Sequence, residues 1–307
     1  MSSSSPGSDV FLIASPAGFD FWHTVFSHGW CALPPFSHDP EARTLSRVFA
    51  LPGGCTARCT LSGTATGVRV ESDWSARPTA AARKALAAQI RTCLRMDEDF
   101  AEFHREARRH ARYRWIARCG AGRMLRAPTV FEDAVKMICT TNCTWALTTL
   151  MVANLVEEAG TRHPGGGRAF PTPEAVAALT EKRLRRSVKA GYRSPFIRAL
   201  ARRIARGELE IESWRTSTLP TPELFDRMRE VKGIGPYAAG NLLKLAGRYD
   251  ELGLDSWVRA QYAALRRGGR RVKDATIARD YLPFGRWRGL FFWLEMTRSW
   301  HGDKFAL

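Results

Sequence analysis

The sequence predicts an α+β protein: a small antiparallel β-sheet domain first, then a mainly α-helical core. Three observations carry that prediction. Residues 10–77 hold short alternating runs separated by turn residues, the apolar period lengthens to three and four after Pro78, and the later segments begin with recognisable helix caps. In the first part, Thr44–Leu51, Cys55–Leu61 and Gly67–Val70 read as strands, with Pro-Gly-Gly, Ser-Gly and Thr-Gly turns around them. Residues 1–9 are Ser-rich and lack the basic and apolar regions of a signal peptide, so they read as a flexible tail. From Pro78 onward, residues 78–307 read as helical, beginning with Ala80–Arg95 and Asp97–Ala111. Thr129 and Glu132 have the form of a capping box, after which Phe131, Ala134, Val135 and Ile138 share one apolar face. Thr172-Pro173, Ser194-Pro195 and Thr221-Pro222 each set a hydroxyl before a proline, which predicts three further helix starts. Gly165-Gly166-Gly167 is followed by no Lys-Ser/Thr pair and reads as a linker rather than a phosphate loop.

Composition narrows the function. The 307 residues carry 47 Lys plus Arg against 30 Asp plus Glu, a net charge of +17, while 45% of residues are hydrophobic. That much apolar content excludes a disordered basic tail, and the charge predicts a polyanionic partner, nucleic acid ahead of an anionic membrane surface. No run approaches the ~20 apolar residues of a membrane-spanning helix, so no membrane role is expected. Seven scattered cysteines, an odd number, predict reduced thiols in a cytosolic or nuclear setting. Cys55 and Cys59 lack a second ligand pair, and no Cys follows Cys143, so neither zinc nor an iron–sulfur cluster is predicted and no cofactor is required.

The most informative stretch is residues 231–241, Val-Lys-Gly-Ile-Gly-Pro-Tyr-Ala-Ala-Gly-Asn, between a helix starting near Pro222 and one ending near Gly247. A turn this tight, with Gly233, Ile234 and Gly235 before the second helix, leaves bare N–H groups at a helix start, where a DNA phosphate would bind without sequence readout. Eighteen residues past Tyr237 stands Asp255, in Leu252-Gly253-Leu254-Asp255-Ser256-Trp257-Val258-Arg259. Taken alone, Asp255 is a helix N-cap ahead of Trp257, Val258 and Tyr262. A carboxylate at a cleft-facing helix start can also stabilise the positive charge that develops on a sugar when its N-glycosidic bond breaks, and can orient the attacking water.

This hairpin, Gly/Pro-rich stretch and aspartate resemble the helix-hairpin-helix (HhH-GPD) DNA glycosylase superfamily. The layout is closest to its 8-oxoguanine branch over roughly Phe19 to Trp300, which implies a core of two helical subdomains. The resemblance implies Asp255 as the catalytic residue, double-stranded DNA containing a damaged base as the partner, and a monomer located in the cytoplasm or nucleoid of a bacterium or the nucleus of a eukaryote. Residues 131–142, from Phe131 to Asn142, are similar to that branch's helix and following turn, implying that Asn142 fills the space of an extruded base. Gly191-Tyr192-Arg193 is similar to another of its elements, implying Tyr192 as a wedge and Arg193 as the donor to the orphaned base. A base inside a duplex must be turned out before its sugar bond can be reached, so such a wedge is needed. The family also implies a monovalent cation where hairpin carbonyls meet a phosphate.

Departures from the pattern refine the expectation. Bifunctional members carry a nucleophilic Lys early in the second hairpin helix; here Tyr237 replaces it, and neither Lys232 nor Lys244 occupies its place. That predicts a monofunctional glycosylase without lyase action. Asn241 stands where the 8-oxoguanine enzyme has a Cys. Residues 284–293 resemble the family's last helix, with Phe292 in place of a polar residue and Trp293 beside it. A pocket formed by Tyr237, Asn241, Phe292 and Trp293 would favour an electron-poor, cationic purine such as 3-methyladenine. The alternatives are an 8-oxoguanine glycosylase and a noncatalytic damaged-DNA-binding protein.

Overall fold

The computed structural model describes residues 7–302, so most of the expected tail lies outside the described residues. The chain opens with five strands, β1 (Ser8–Ala14), β2 (Ser37–Asp39), β3 (Thr44–Ala50), β4 (Thr56–Thr64) and β5 (Gly67–Trp74), in one antiparallel sheet of order β1-β5-β4-β3-β2. β1 begins two residues inside the segment expected as a tail, because Ser8 pairs with Asp73 and the register runs on to Ala14 opposite Gly67. β4 and β5 outrun the sequence expectation: β5 keeps its alternation beyond Val70 by burying Ser72 and Trp74, and β4 runs on past Leu61 to Thr64, paired with Gly67. A short helix, α1 (Phe21–Val25), was not anticipated; Asp20 caps it by accepting from the His23 N–H at 2.7 Å.

The rest is helical: α2 (Ala80–Leu94), α3 (Ala101–Arg109), α4 (Arg114–Arg118), α5 (Val130–Thr140), α6 (Trp145–Ala159), α7 (Pro173–Ala178), α8 (Glu181–Arg186), α9 (Ser194–Ala205), α10 (Thr221–Arg229), α11 (Pro236–Leu245), α12 (Ser256–Arg267), α13 (Asp274–Tyr281) and α14 (Arg288–Met296). The caps are mixed. Thr129 accepts from the Glu132 N–H at 3.2 Å, but the Glu132 carboxylate does not return the bond as a capping box requires. It is buried between Arg47 of β3, at 3.1 Å, and Lys136, at 2.7 Å, tying α5 to the sheet. The Val130 and Phe131 N–H groups donate instead to Glu212 from far along the chain. Thr172 caps α7 as expected, whereas Ser194 and Thr221 are the first residues of their helices and cap nothing. Gly166 and Gly167 take positive φ in a turn between α6 and α7, consistent with a connection.

Two apolar cores result. One runs from the inner face of the sheet, including Phe49, Leu61 and Trp74, through α2, α5, α6 and α9 to α11. The other gathers Phe100, Phe103 and Tyr113 with Tyr262, Tyr281, Trp287 and Phe291, so it joins α3 and α4 to the end of the chain. The sheet therefore shares its core with helices, and the second helical unit is discontinuous in sequence. All seven cysteines are free, and no helix among the described residues is long and apolar enough to cross a membrane.

Candidate active site

The α10–α11 hairpin turns between Arg229 and Pro236. Gly233 has φ +95°, and a Cβ there would come within 2.9 Å of Phe196 Cβ, so both backbone and space require glycine. Gly235 differs: its φ of −84° is ordinary, and nothing lies within 4 Å of a Cβ built on it. Its smallness leaves the start of α11 open. Among the described residues the N–H groups of Gly233 and Gly235 have no hydrogen-bond partner, while that of Ile234 donates to Val231 O at 2.9 Å. Ile234 therefore departs from its expected place among phosphate contacts; its amide is used and its side chain is buried as the anchor of the turn.

The far end of α11 is held as firmly. Its Leu245 carbonyl accepts from Arg95 at 2.7 Å and from Arg126 at 3.0 Å, two cations at the negative end of a helix. Glu98 balances them: burial pushes its carboxyl up, but the Arg95 and Arg126 guanidiniums outweigh that and hold it low. Beyond α11 the chain doubles back, and Gly240 and Gly253 let the two backbones touch, since a Cβ on Gly240 would lie 2.9 Å from Gly253 Cα. The returning segment delivers Asp255 to the start of α12, where Oδ1 accepts from the Val258 N–H at 2.8 Å.

Asp255 lines a cavity of about 420 Å³ between the two cores. Six Trp and Tyr side chains contribute to its wall, Trp30, Trp145, Tyr237, Trp257, Trp293 and Trp300, with His28, Thr140 and Asn241 as polar neighbours. Trp257 lies 5.4 Å from Trp300 and 6.2 Å from Trp293, and the Trp293 indole donates to Ser27 O at 2.8 Å. Trp30 is fixed by its indole N–H to Asp133 Oδ1 at 2.8 Å. A Cβ on Gly29 would reach 2.5 Å from the Trp145 ring, so glycine is what allows that ring to lie across the chain. His28 is neutral here, its pKa lowered to about 3 by burial, with the Arg95 charge adding. Burial, aided by the Asp255 charge, pushes the Tyr237 phenol up to about 12.

Four expected site residues, Asp255, Tyr237, Asn241 and Trp293, thus meet in one cavity. Phe292 does not: it is fully buried and packs edge-on against Tyr281 at 5.1 Å. Neighbours on a helix point about 100° apart, so Trp293 facing the cavity turns Phe292 into the second core. Asn142, at φ +48°, and Tyr192 are both exposed and adjoin each other, with Asn142 Nδ2 donating to Tyr192 Oη at 3.4 Å. Arg193, expected as donor to an orphaned base, lies beneath the surface beside Tyr192. It is buried at 4% exposure, donates to the Thr141 carbonyl, and its guanidinium lies over the Tyr192 ring at 4.4 Å. The residues that sequence reasoning missed include His28, Gly29, Trp30, Trp145, Trp257 and Trp300. Ten tryptophans in the chain were the available signal, but nothing in their spacing shows that they converge.

Residues 135–282 match the family described as HhH-GPD superfamily base excision DNA repair protein. A comparison with curated proteins finds no match. Among solved structures, the chain is similar to a 3-methyladenine DNA glycosylase from Archaeoglobus fulgidus, with 18% identity and a TM-score of 0.74 over 95% of this chain and 99% of that one. It is similar to an 8-oxoguanine glycosylase/lyase from Clostridium acetobutylicum in complex with double-stranded DNA, with 18% identity and a TM-score of 0.70 over 97% of this chain and 99% of that one. A Schizosaccharomyces pombe 3-methyladenine DNA glycosylase in complex with abasic DNA matches over 68% of this chain and 100% of its own, at 17% identity and a TM-score of 0.51. At these identities the likeness is one of fold, and the first two share the sheet as well as the helices. The family match falls on the helices that build the hairpin and deliver Asp255, and on that ground residues 135–282 form an HhH-GPD domain, as described for base excision DNA repair proteins.

Proposed function

We propose that the protein is a monofunctional DNA glycosylase that turns a damaged base, an alkylated purine such as 3-methyladenine, out of duplex DNA and hydrolyses its N-glycosidic bond. One observation carries the reading: a carboxylate, Asp255, stands in a ring-walled cavity to which no lysine among the described residues contributes. In this reading the bare N–H groups of Gly233 and Gly235 take a DNA phosphate at the start of α11. A monovalent cation there would use main-chain carbonyls of the turn and needs no side chain. Asn142 and Tyr192 enter the stack as the base leaves it, and Arg193 braces Tyr192 rather than reading the partner base.

The flipped base stacks among the tryptophans, and their electron-rich faces favour a cationic purine over a neutral one. As the C1′–N bond breaks, its electron pair leaves with the base and the sugar becomes positive. Asp255 stabilises that charge; one of its oxygens is occupied by Val258 and the other is free to face the sugar. Water then forms the new C1′–O bond and gives a proton to the carboxylate. Tyr237 stands where a lyase needs an amine, and a protonated phenol forms no Schiff base, so the reaction ends at the abasic site.

The test is mass spectrometry of bases released from duplex treated separately with an alkylating agent and an oxidant, alongside borohydride trapping. Release of alkylated purine without a trapped complex is expected. A borohydride-trapped complex, or release of 8-oxoguanine alone, overturns the reading. Binding without any release would make the protein a damage-recognition module.

A further inference from the structure

Lys244 lies on α11 one turn after Asn241 and is fully buried. Its Nζ donates to Leu252 O at 2.6 Å and to Asn241 Oδ1 at 3.2 Å. Lys136, the other fully buried lysine among the described residues, has a carboxylate partner, whereas Lys244 makes no ion pair. A buried ammonium satisfied only by neutral oxygens is costly to fold. Burial accordingly draws its pKa down to about 7, against the nearby Asp255 and Glu251 charges. Such a group needs a reason to be there.

Its two acceptors supply one. A lysine ammonium only donates, so the Asn241 atom facing it must be oxygen; the Tyr237 carbonyl only accepts, so the Asn241 atom 2.9 Å from it must be nitrogen. The amide therefore has one orientation. Nδ2 spends one N–H on Tyr237 O, and the second N–H is left on a residue that lines the cavity. The second acceptor, Leu252 O, lies three residues before Asp255. Gly253 completes the clamp: a Cβ there would approach 2.6 Å from Lys244 Nζ and 3.0 Å from Asn241 Nδ2.

We propose that Lys244 is a positioning residue that locks the Asn241 amide so that it offers an N–H donor to the flipped base, and that pins the 252–255 segment so that Asp255 meets the sugar. The substrate class follows: purines that present a bare ring nitrogen or a carbonyl oxygen at the edge facing Asn241. The inference rests on the glycosylase reading above and deepens it.

DNA methylated with dimethyl sulfate carries 3-methyladenine and 7-methylguanine together, so single-turnover release of both from one substrate gives a selectivity ratio. Lys244→Met fills the same space without a donor. It is expected to slow both releases and to change their ratio about fivefold or more, the effect of freeing one ordinary hydrogen-bonded group. Affinity for duplex containing a tetrahydrofuran abasic analogue should stay within about twofold of wild type. In the Asn241→Ala background the same substitution should no longer move the ratio, because its lever is gone. If Lys244→Met does not fold, Lys244→Gln serves, since its amide is one atom shorter and cannot span both acceptors; the same ratio change is expected. An unchanged ratio in the folded variant, or a full change that persists with Asn241→Ala, overturns the inference. If wild type releases neither base and no other, the glycosylase reading fails first. If wild type is active and Asp255→Asn is not, an unchanged Lys244 ratio sinks the clamp alone.

Discussion

At the residue scale, the site is a set of polar side chains whose second contacts are as specific as their first. Asp255 caps α12 and faces the cavity, Asn241 answers to Lys244, and Asp133 holds Trp30 in the wall. Asp133 permits a direct test of that last contact. Burial pushes its carboxyl up to about 6 from an ordinary value of 3.8, with the nearby Arg215 charge opposing. A folded-state pKa above the unfolded one means that the fold holds the proton more tightly. The stabilisation is complete below pH about 4 and is lost as pH rises through 6. Asp133→Asn keeps an acceptor for Trp30 and Ala127 but does not ionise. Relative to wild type, the variant should gain on the order of 2 kcal/mol between pH 4.5 and 7.5 in urea unfolding. A difference that is the same at both values would show that Asp133 does not titrate in this range. Residues of this kind were only partly legible in sequence. Asp255 and Tyr237 were readable because spacing from the hairpin fixes them, whereas Trp30 and Trp145 reach the cavity from separate segments through tertiary packing.

At the element scale, the hairpin was legible because its glycines and proline sit next to each other in sequence, and the caps were less so because their partners do not. Thr129 followed by Glu132 looks like a reciprocal cap, yet Glu132 serves a buried pair with Arg47 and Lys136, and Glu212, 82 positions beyond Val130, accepts from the Val130 and Phe131 N–H groups of the first turn. Two glycines in one turn separate structure from binding. Gly233→Ala meets both a positive φ and the Phe196 Cβ, and should lower stability by about 1–3 kcal/mol along with DNA affinity. Gly235→Ala meets neither and should leave the melting temperature unchanged, while its methyl crowds the open start of α11 and weakens binding to any duplex. Equal effects of the two on melting temperature, or full DNA affinity in Gly235→Ala, would contradict the assignment of the turn.

At the scale of the whole molecule, the cavity exists because two cores meet, one built on the sheet and one joining α3 and α4 to the chain's last helices. Sequence order conceals that second core, since its halves lie on either side of some 120 residues. Composition spoke more directly. A net charge of +17 gives binding to undamaged duplex a large counterion-release component. That affinity should fall by about 10³–10⁵ between 50 and 200 mM salt if roughly 6–10 phosphates are contacted. A flat salt dependence would remove the charge from the account of DNA binding. Specificity belongs to the cavity, and chemistry there depends on one carboxylate, Asp255. The most direct measurement is single-turnover release of 3-methyladenine from methylated duplex by wild type and Asp255→Asn, with DNA affinity measured in parallel. Wild type is expected to release the base, the variant to lose about 10²-fold or more in rate, and affinity to stay unchanged or rise slightly as a negative charge is removed. Release by Asp255→Asn at the wild-type rate would contradict that dependence.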